Sequence, residues 1–159
     1  MLTEIPHGYD GIRATYGALE FGADGRVTRD WERAHLVSVP LPYALANHAM
    51  PGLATLTRLY CHRLVADHLV GALAEVHRLG LHLKDCGDVR YDGLYATGGC
   101  WCVRSIRGRP GVWSLHSWAC AVDFNVRENA LGASPGRMHP EVVAAFKACG
   151  WIWGGDWSR

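Results

Sequence analysis

Apolar residues between positions 52 and 79 recur at intervals of three and four, which is the period of one face of a helix. The pattern predicts an amphipathic helix over this range, broken once near Gly71. Gly80 follows directly, and glycine is the common residue just beyond a helix C-terminus. We therefore expect this helix to end at Gly80.

A second, shorter helix is predicted over residues 140–148. Pro140 lies near its first position, where the missing N–H of proline costs nothing, and Gly150 marks its end. Residues 1–50 are punctuated by glycine and proline throughout. They are interpreted as an irregular N-terminal segment that carries only a short strand at 36–39.

Three further short strands are predicted, at residues 93–96, 101–106 and 120–124, with a turn over 105–112. The last strand alternates between two faces, with Cys120, Val122 and Phe124 on one side. Helices mixed with short strands predict an α+β fold in one domain over residues 1–159, whose core lies in residues 51–159.

Composition narrows the class of protein. Of 159 residues, 49% are hydrophobic and 19% are charged, which argues against disorder. The formal net charge of +1 makes nucleic acid an improbable partner, since phosphate binding needs a basic surface. No apolar run reaches the roughly 18–20 residues of a membrane span. The first twenty residues hold no apolar signal region, so we expect no signal peptide.

The chain has nine histidines and six cysteines. Without a secretory signal, the cysteines are expected to be reduced thiols, several of them buried, and one or more disulfides remain the alternative. Cys100 and Cys102 are separated by one residue, which is closer than the usual spacing of a zinc knuckle. The search for metal ligands therefore turns to histidine.

The most informative stretch is residues 114–125, in which His116 lies before a predicted strand and Asp123 lies on it. Zinc accepts neutral imidazole and carboxylate together. Ala121 shares the strand face of Asp123 and leaves room above it. From spacing alone, an alternative stays open in which His116 caps a turn and Asp123 forms a surface ion pair.

This stretch resembles the Ser-x-His-x-x-Gly-x-Ala-x-Asp motif of the zinc D-Ala-D-Ala carboxypeptidase and L-alanyl-D-glutamate endopeptidase family, which includes VanY-like enzymes and phage endolysins. Ser114, His116, Ala121 and Asp123 match the motif. Ala119 stands where the family has glycine. We expect this departure to be mild unless the position needs a positive φ.

The resemblance covers about residues 50–157. Gly98-Gly99 followed by Arg104 is similar to the segment that carries the family's active-site arginine. The stretch 150–157, with its Gly-Gly-Asp-Trp sequence, resembles the closing strand of the endolysin branch in particular. The family fold is a small antiparallel sheet flanked by helices, shared with the hedgehog signalling domain.

The resemblance implies a zinc ion held by His116, Asp123 and a second histidine, with water in the fourth position. Arg104 would stabilise the oxyanion, and Ser114 would orient a ligand. An acidic residue just before the last histidine would serve as general base.

One departure from the family concerns the general base and the last zinc histidine. In the endolysin branch they follow the Gly-Gly-Asp-Trp segment, whereas this sequence ends at Arg159. Three interpretations stay open: a fragment of a longer protein, a degenerate relative that binds without cutting, or substitution by another group. The candidate substitutes are His139 and Asp156.

The expected function is zinc-dependent cleavage of peptidoglycan stem peptides, next to a D-amino acid or at L-Ala-D-Glu, by a phage or prophage endolysin. Such an enzyme would accumulate in the host cytoplasm before lysis. The alternative is a non-catalytic domain that binds the cell wall or forms part of a phage particle. Trp118 and Trp157 are candidates for lining a substrate groove. The sequence leaves the exact bond and the oligomeric state open.

Overall fold

The computed structural model describes residues 4–49, 55–130, 132 and 136–157. The chain divides into two compact units. The first unit is built from residues up to 39, from 60–66 and from 100–122. The second is built from residues 40–59, from 67–99 and from 123 onward.

The described residues form helices and short strands, which confirms the predicted α+β class. The helices are α1 (Gly8–Tyr16), α2 (Arg29–His35), α3 (Ala66–Arg78) and α4 (Pro140–Ala148). The strands are β1 (Leu36–Asn47), β2 (Leu56–His62), β3 (Ala96–Gly99), β4 (Ser105–Ile106), β5 (Arg109–Trp113) and β6 (Asp123–Phe124). Short 3-10 turns cover Arg63–Val65, Leu115–Trp118 and Gly154–Asp156. No helix within the described ranges is long and apolar enough to cross a bilayer.

Four strands form one sheet in the order β2-β1-β3-β6, and β4 and β5 pair as an antiparallel hairpin. The four-stranded sheet is mixed rather than wholly antiparallel. β1 and β3 run parallel, with Ala46 opposite Ala96, whereas β3 and β6 run antiparallel. A parallel pair needs a long connection, and here the chain passes through β2 and α3 before it returns.

The prediction of a helix over residues 52–79 is wrong for the first half of that range. Helix α3 begins at Ala66, and residues 56–62 form strand β2; residues 52–54 lie outside the described residues. In β2, Leu59 and Cys61 are buried while Tyr60 is exposed, which is the alternation of a strand. A four-residue apolar spacing fits both a helical period and a period of two, so the pattern alone was ambiguous.

The ends of both predicted helices are confirmed. Gly80 and Gly150 have φ values of 74° and 84°, in the left-handed region that glycine adopts without strain. Pro140 opens α4 as predicted. Gly71 lies inside α3 and does not interrupt it.

Residues 1–50 are more regular than predicted, because they contain α1, α2 and a twelve-residue β1 where four strand residues were expected. Pro40 and Pro42 made a long strand improbable from sequence. Strand β1 pairs with β3 through Ala46 and Asn47, and both prolines precede these residues. Neither proline therefore removes a hydrogen bond from that ladder.

The other strands are displaced or shorter than predicted. The strand expected over 93–96 lies at 96–99. Of the strand expected over 101–106, only residues 105–106 pair with a neighbouring strand. Of the strand expected over 120–124, only residues 123–124 do so. Residues 102 and 104 instead bond the backbone of the 114–117 segment. This loop-to-loop pairing builds the candidate site described below.

Each unit has its own core. Trp31 and Trp118 are the largest fully buried side chains in the first unit. In the second unit, α3 buries Leu69, Leu73 and Val76. All six cysteines are free thiols, and burial raises the pKa of Cys61 to about 11.

Candidate active site

Ser114 begins the 3-10 turn Leu115–Trp118 that carries His116. Its Oγ accepts a hydrogen bond from the backbone N–H of His116 at 3.4 Å, and its carbonyl accepts one from the N–H of Ser117 at 2.8 Å. A side-chain oxygen at this position satisfies the unpaired N–H groups of the first turn. Ser114 therefore positions the backbone of the residue predicted to bind metal.

The ring of His116 is held by the first unit and is only 9% exposed. Its Nδ1 lies 3.0 Å from the carbonyl oxygen of Cys100. A carbonyl can only accept, so Nδ1 carries the proton and Nε2 carries the lone pair. Histidines that ligate zinc commonly donate their other ring N–H to a backbone carbonyl in this way.

Arg104 has a fixed backbone and an exposed side chain. The buried hydroxyl of Ser117 accepts from the Arg104 N–H at 3.1 Å and donates to the Arg104 carbonyl at 3.0 Å. The same carbonyl accepts from the N–H of Ser114 at 2.9 Å. Sequence reasoning missed Ser117, because it occupies an unspecified position of the motif.

Ala119 has φ 53° and ψ 32°, which is the left-handed helical conformation, and its side chain is fully buried. Its carbonyl accepts from the N–H of His62 at 2.9 Å and from the thiol of Cys100 at 3.1 Å. The departure from the family's glycine was expected to be mild unless this position needed a positive φ, and the observed φ shows that this exception applies. A non-glycine residue pays roughly 1–2 kcal/mol in this conformation.

Asp123 lies in the second unit, at the exposed first position of β6. Its carbonyl accepts from Oγ1 of Thr97 at 3.1 Å. A Cβ added to Gly98 would lie 2.7 Å from Cγ1 of Val126 and 3.2 Å from Cβ of Asp123. Only glycine at position 98 lets β3 approach β6 this closely.

The two candidate substitute ligands both have local partners in the second unit. Nδ1 of His139 accepts from the N–H of Glu141 at 3.2 Å and so caps helix α4. The carboxylate of Asp156 pairs with Nζ of Lys147 at 2.5 Å. These contacts give both residues structural roles.

The two groove candidates differ sharply in exposure. Trp118 is 1% exposed, and its Nε1 donates to the carbonyl of Gly17 at 2.7 Å. Its ring is a core residue and does not line a groove, which corrects the prediction. Trp157 is 63% exposed and lies just after the Gly154–Asp156 turn.

The donor types at His116 and Asp123 are those that zinc accepts, and the tautomer of His116 suits a ligand. Within the described ranges, no group of three or more histidine, cysteine, aspartate and glutamate side chains is placed to hold a metal ion. By ligand type alone, His116 and Asp123 each suit zinc.

A family model described as D-alanyl-D-alanine carboxypeptidase matches residues 107–159 of the chain. The matched segment contains Ser114, His116 and Asp123, and Arg104 lies outside it. No curated protein and no solved structure matches the chain significantly. The match shows that this C-terminal segment is similar to that family of peptidases.

Proposed function

We propose that the chain is a zinc-dependent peptidase that cleaves peptidoglycan stem peptides, next to a D-amino acid or at L-Ala-D-Glu, as a phage or prophage endolysin. The peptidase class is supported by the family match across the segment that carries His116 and Asp123. The observation that carries zinc dependence is the ring of His116, whose Nδ1–H is committed to the Cys100 carbonyl.

In this proposal His116 offers the Nε2 lone pair and Asp123 offers a carboxylate oxygen to the metal. When bound, zinc polarises a scissile carbonyl and lowers the pKa of a bound water. Arg104 binds negative charge on the substrate with its exposed guanidinium, which has five hydrogen-bond donors. Ser114 and Ser117 keep His116 and Arg104 in position through the backbone bonds described above.

The first test measures zinc in the purified chain by elemental analysis after exhaustive dialysis, beside a His116→Ala variant. A His7→Ala variant is the matched control, because His7 is exposed and remote from the motif in sequence. We expect His116→Ala to hold about one zinc per chain fewer than the parent and the control.

The second test incubates the same three proteins with purified peptidoglycan and measures newly released amino groups, with and without a chelator. Chelator-sensitive release by the parent and the control, lost in His116→Ala, is the expected result. Zinc binding without any release would contradict the peptidase proposal, and release that persists in the chelator would contradict zinc dependence.

The second candidate function is a non-catalytic domain that binds the cell wall. It is favoured by the absence of a three-ligand cluster within the described residues and by the exposed ring of Trp157. Aromatic side chains combine an apolar body with a polar edge, and they are frequent at binding surfaces. Co-sedimentation with peptidoglycan, weakened by Trp157→Ala and unaccompanied by released amino groups, would favour this function over the first.

A further inference from the structure

A second pair of histidines lies in the second unit, on residues that the peptidase motif does not include. The rings of His77 and His82, here called the imidazole pair, have centroids 4.5 Å apart and an interplanar angle of 73°. The ring of Tyr43 on β1 lies beside both, at 5.7 Å from His77 and 5.3 Å from His82.

The C-terminal end of helix α3 sets the position of this pair. The N–H of Gly80 bonds the carbonyl of His77 at 3.0 Å, and the N–H of Leu81 bonds the carbonyl of Val76 at 3.0 Å. These two bonds, with Gly80 in the left-handed conformation, define a Schellman motif. The chain reverses direction at this motif, which brings His82 back beside His77 in the last turn of α3.

Two polar atoms in this cluster are buried without a hydrogen-bond partner among the described residues, Oη of Tyr43 and Nδ1 of His82. Burial raises the pKa of Tyr43 well above its usual range, so the phenol stays protonated and remains a donor. Leaving such groups unsatisfied is unfavourable, because each has lost its hydrogen bonds to water. A bound group that pairs with them would recover this free energy.

The spacing of the two rings fits a shared ion. Two imidazoles on one metal, each with a metal–nitrogen distance of about 2.0–2.1 Å, have centroids roughly 4.5 Å apart at a ligand angle of about 90° and roughly 5.2 Å apart at a tetrahedral angle. The observed separation of 4.5 Å falls in this range. Imidazole is a preferred ligand of zinc, copper and nickel, whereas magnesium and calcium prefer oxygen.

We propose that His77 and His82 form a site for a divalent transition metal ion of the zinc, copper and nickel class. The two imidazoles supply the protein ligands, and the hydroxyl of Tyr43 donates a hydrogen bond to a water that completes the coordination. This site is independent of the peptidase motif, so it does not rest on the proposed function.

The test uses the full chain with the His116→Ala substitution, which removes the predicted motif ligand. Binding of Zn²⁺ is measured by isothermal titration, and one equivalent of Cu²⁺ is examined by electron paramagnetic resonance. We expect one site whose copper spectrum shows coupling to two imidazole nitrogens. Adding His77→Gln or His82→Gln should weaken Zn²⁺ binding at least about tenfold, since losing even an outer partner of a ligand costs about 10–100-fold.

A His7→Ala substitution in the same background is the matched control and should leave binding and spectrum unchanged. Circular dichroism and thermal unfolding establish that each variant is folded. Tyr43→Phe should retain the two-nitrogen spectrum, because the phenol is not a metal ligand in this proposal. Absence of a site, or equal affinity in the parent background and both glutamine variants, would overturn the proposal.

Discussion

At the scale of single residues, backbone conformation decides how much a change in the motif matters. Ala119 has a left-handed conformation, which favours glycine, yet its methyl group is fully buried. Burial of one methyl contributes about 0.8 kcal/mol, whereas the left-handed conformation costs roughly 1–2 kcal/mol. The two terms oppose each other, and the conformational term is the larger.

The first prediction compares Ala119→Gly with Ala72→Gly. Both alanines are fully buried, but Ala72 lies inside helix α3, where glycine is unfavourable by about 1 kcal/mol. We expect Ala72→Gly to lower the free energy of unfolding by at least about 1 kcal/mol. Ala119→Gly should leave it equal or higher, as measured by urea denaturation. Equal losses at the two positions would contradict the role assigned to the backbone.

A second prediction concerns acid stability and rests on the buried ring of His62. Its Nδ1 accepts from the N–H of Leu64, and its Nε2 lies 3.2 Å from the carbonyl of Tyr16. Burial lowers the pKa of His62 from 6.5 to about 4 in the folded protein. The unfolded chain therefore binds more protons than the folded one between these two values. Stability rises with pH across that window.

Unfolding free energies measured from pH 7 to pH 4 should fall by up to about 3 kcal/mol from this residue alone. The loss begins near pH 6.5 and is complete near pH 4. His62→Asn should flatten this part of the profile, whereas the exposed control His7→Asn should not. An unchanged slope in His62→Asn would assign the acid sensitivity to other groups.

At the scale of elements, short contacts between strands replace long ladders. β6 has two residues, and it is positioned by the close approach of Gly98 on β3 to Asp123 and Val126. The glycine at position 98 was already noted in the sequence, because Gly98-Gly99 formed part of the resemblance to the peptidase family. Its physical reason, the missing Cβ, appeared only when the strands were placed side by side.

The third prediction tests this close approach. Gly98→Ala places a Cβ 2.7 Å from Cγ1 of Val126, and such overpacking typically costs 1–3 kcal/mol. Val126→Ala removes the obstructing methyl group, so the double variant should be more stable than the sum of the single effects predicts. The control is Gly154→Ala, whose Cβ would meet only ordinary contacts at 3.7 Å or more. Additive effects of the two substitutions in thermal unfolding would contradict this explanation.

The elements also show where sequence patterns were sufficient. Helix α4 and the glycine ends of α3 and α4 were predicted correctly, because helix capping depends on residues a few positions apart. Strand β2 was misassigned, because apolar residues four apart suit both a helix and a strand. Helices α1 and α2 were missed in a segment rich in glycine and proline.

At the scale of the whole molecule, the chain forms two compact units, each with its own buried residues. The motif residues are divided between them by chain position, since Ser114 and His116 belong to the first unit and Asp123 to the second. The imidazole pair lies wholly in the second unit. A zinc assay therefore has to separate the two proposed sites, which is why His116→Ala is the background for testing the second.

The sequence by itself determined the α+β class, because helix and strand patterns are local properties of the chain. Its resemblance to the peptidase family named His116, Asp123 and Arg104 as candidates. The tertiary structure decided that His116 donates from Nδ1, that Ala119 is strained and that Trp118 is buried. It also placed Tyr43 beside His77 and His82. Hydrogen-bond partners, burial and backbone strain depend on residues far apart in sequence, so no local pattern encodes them.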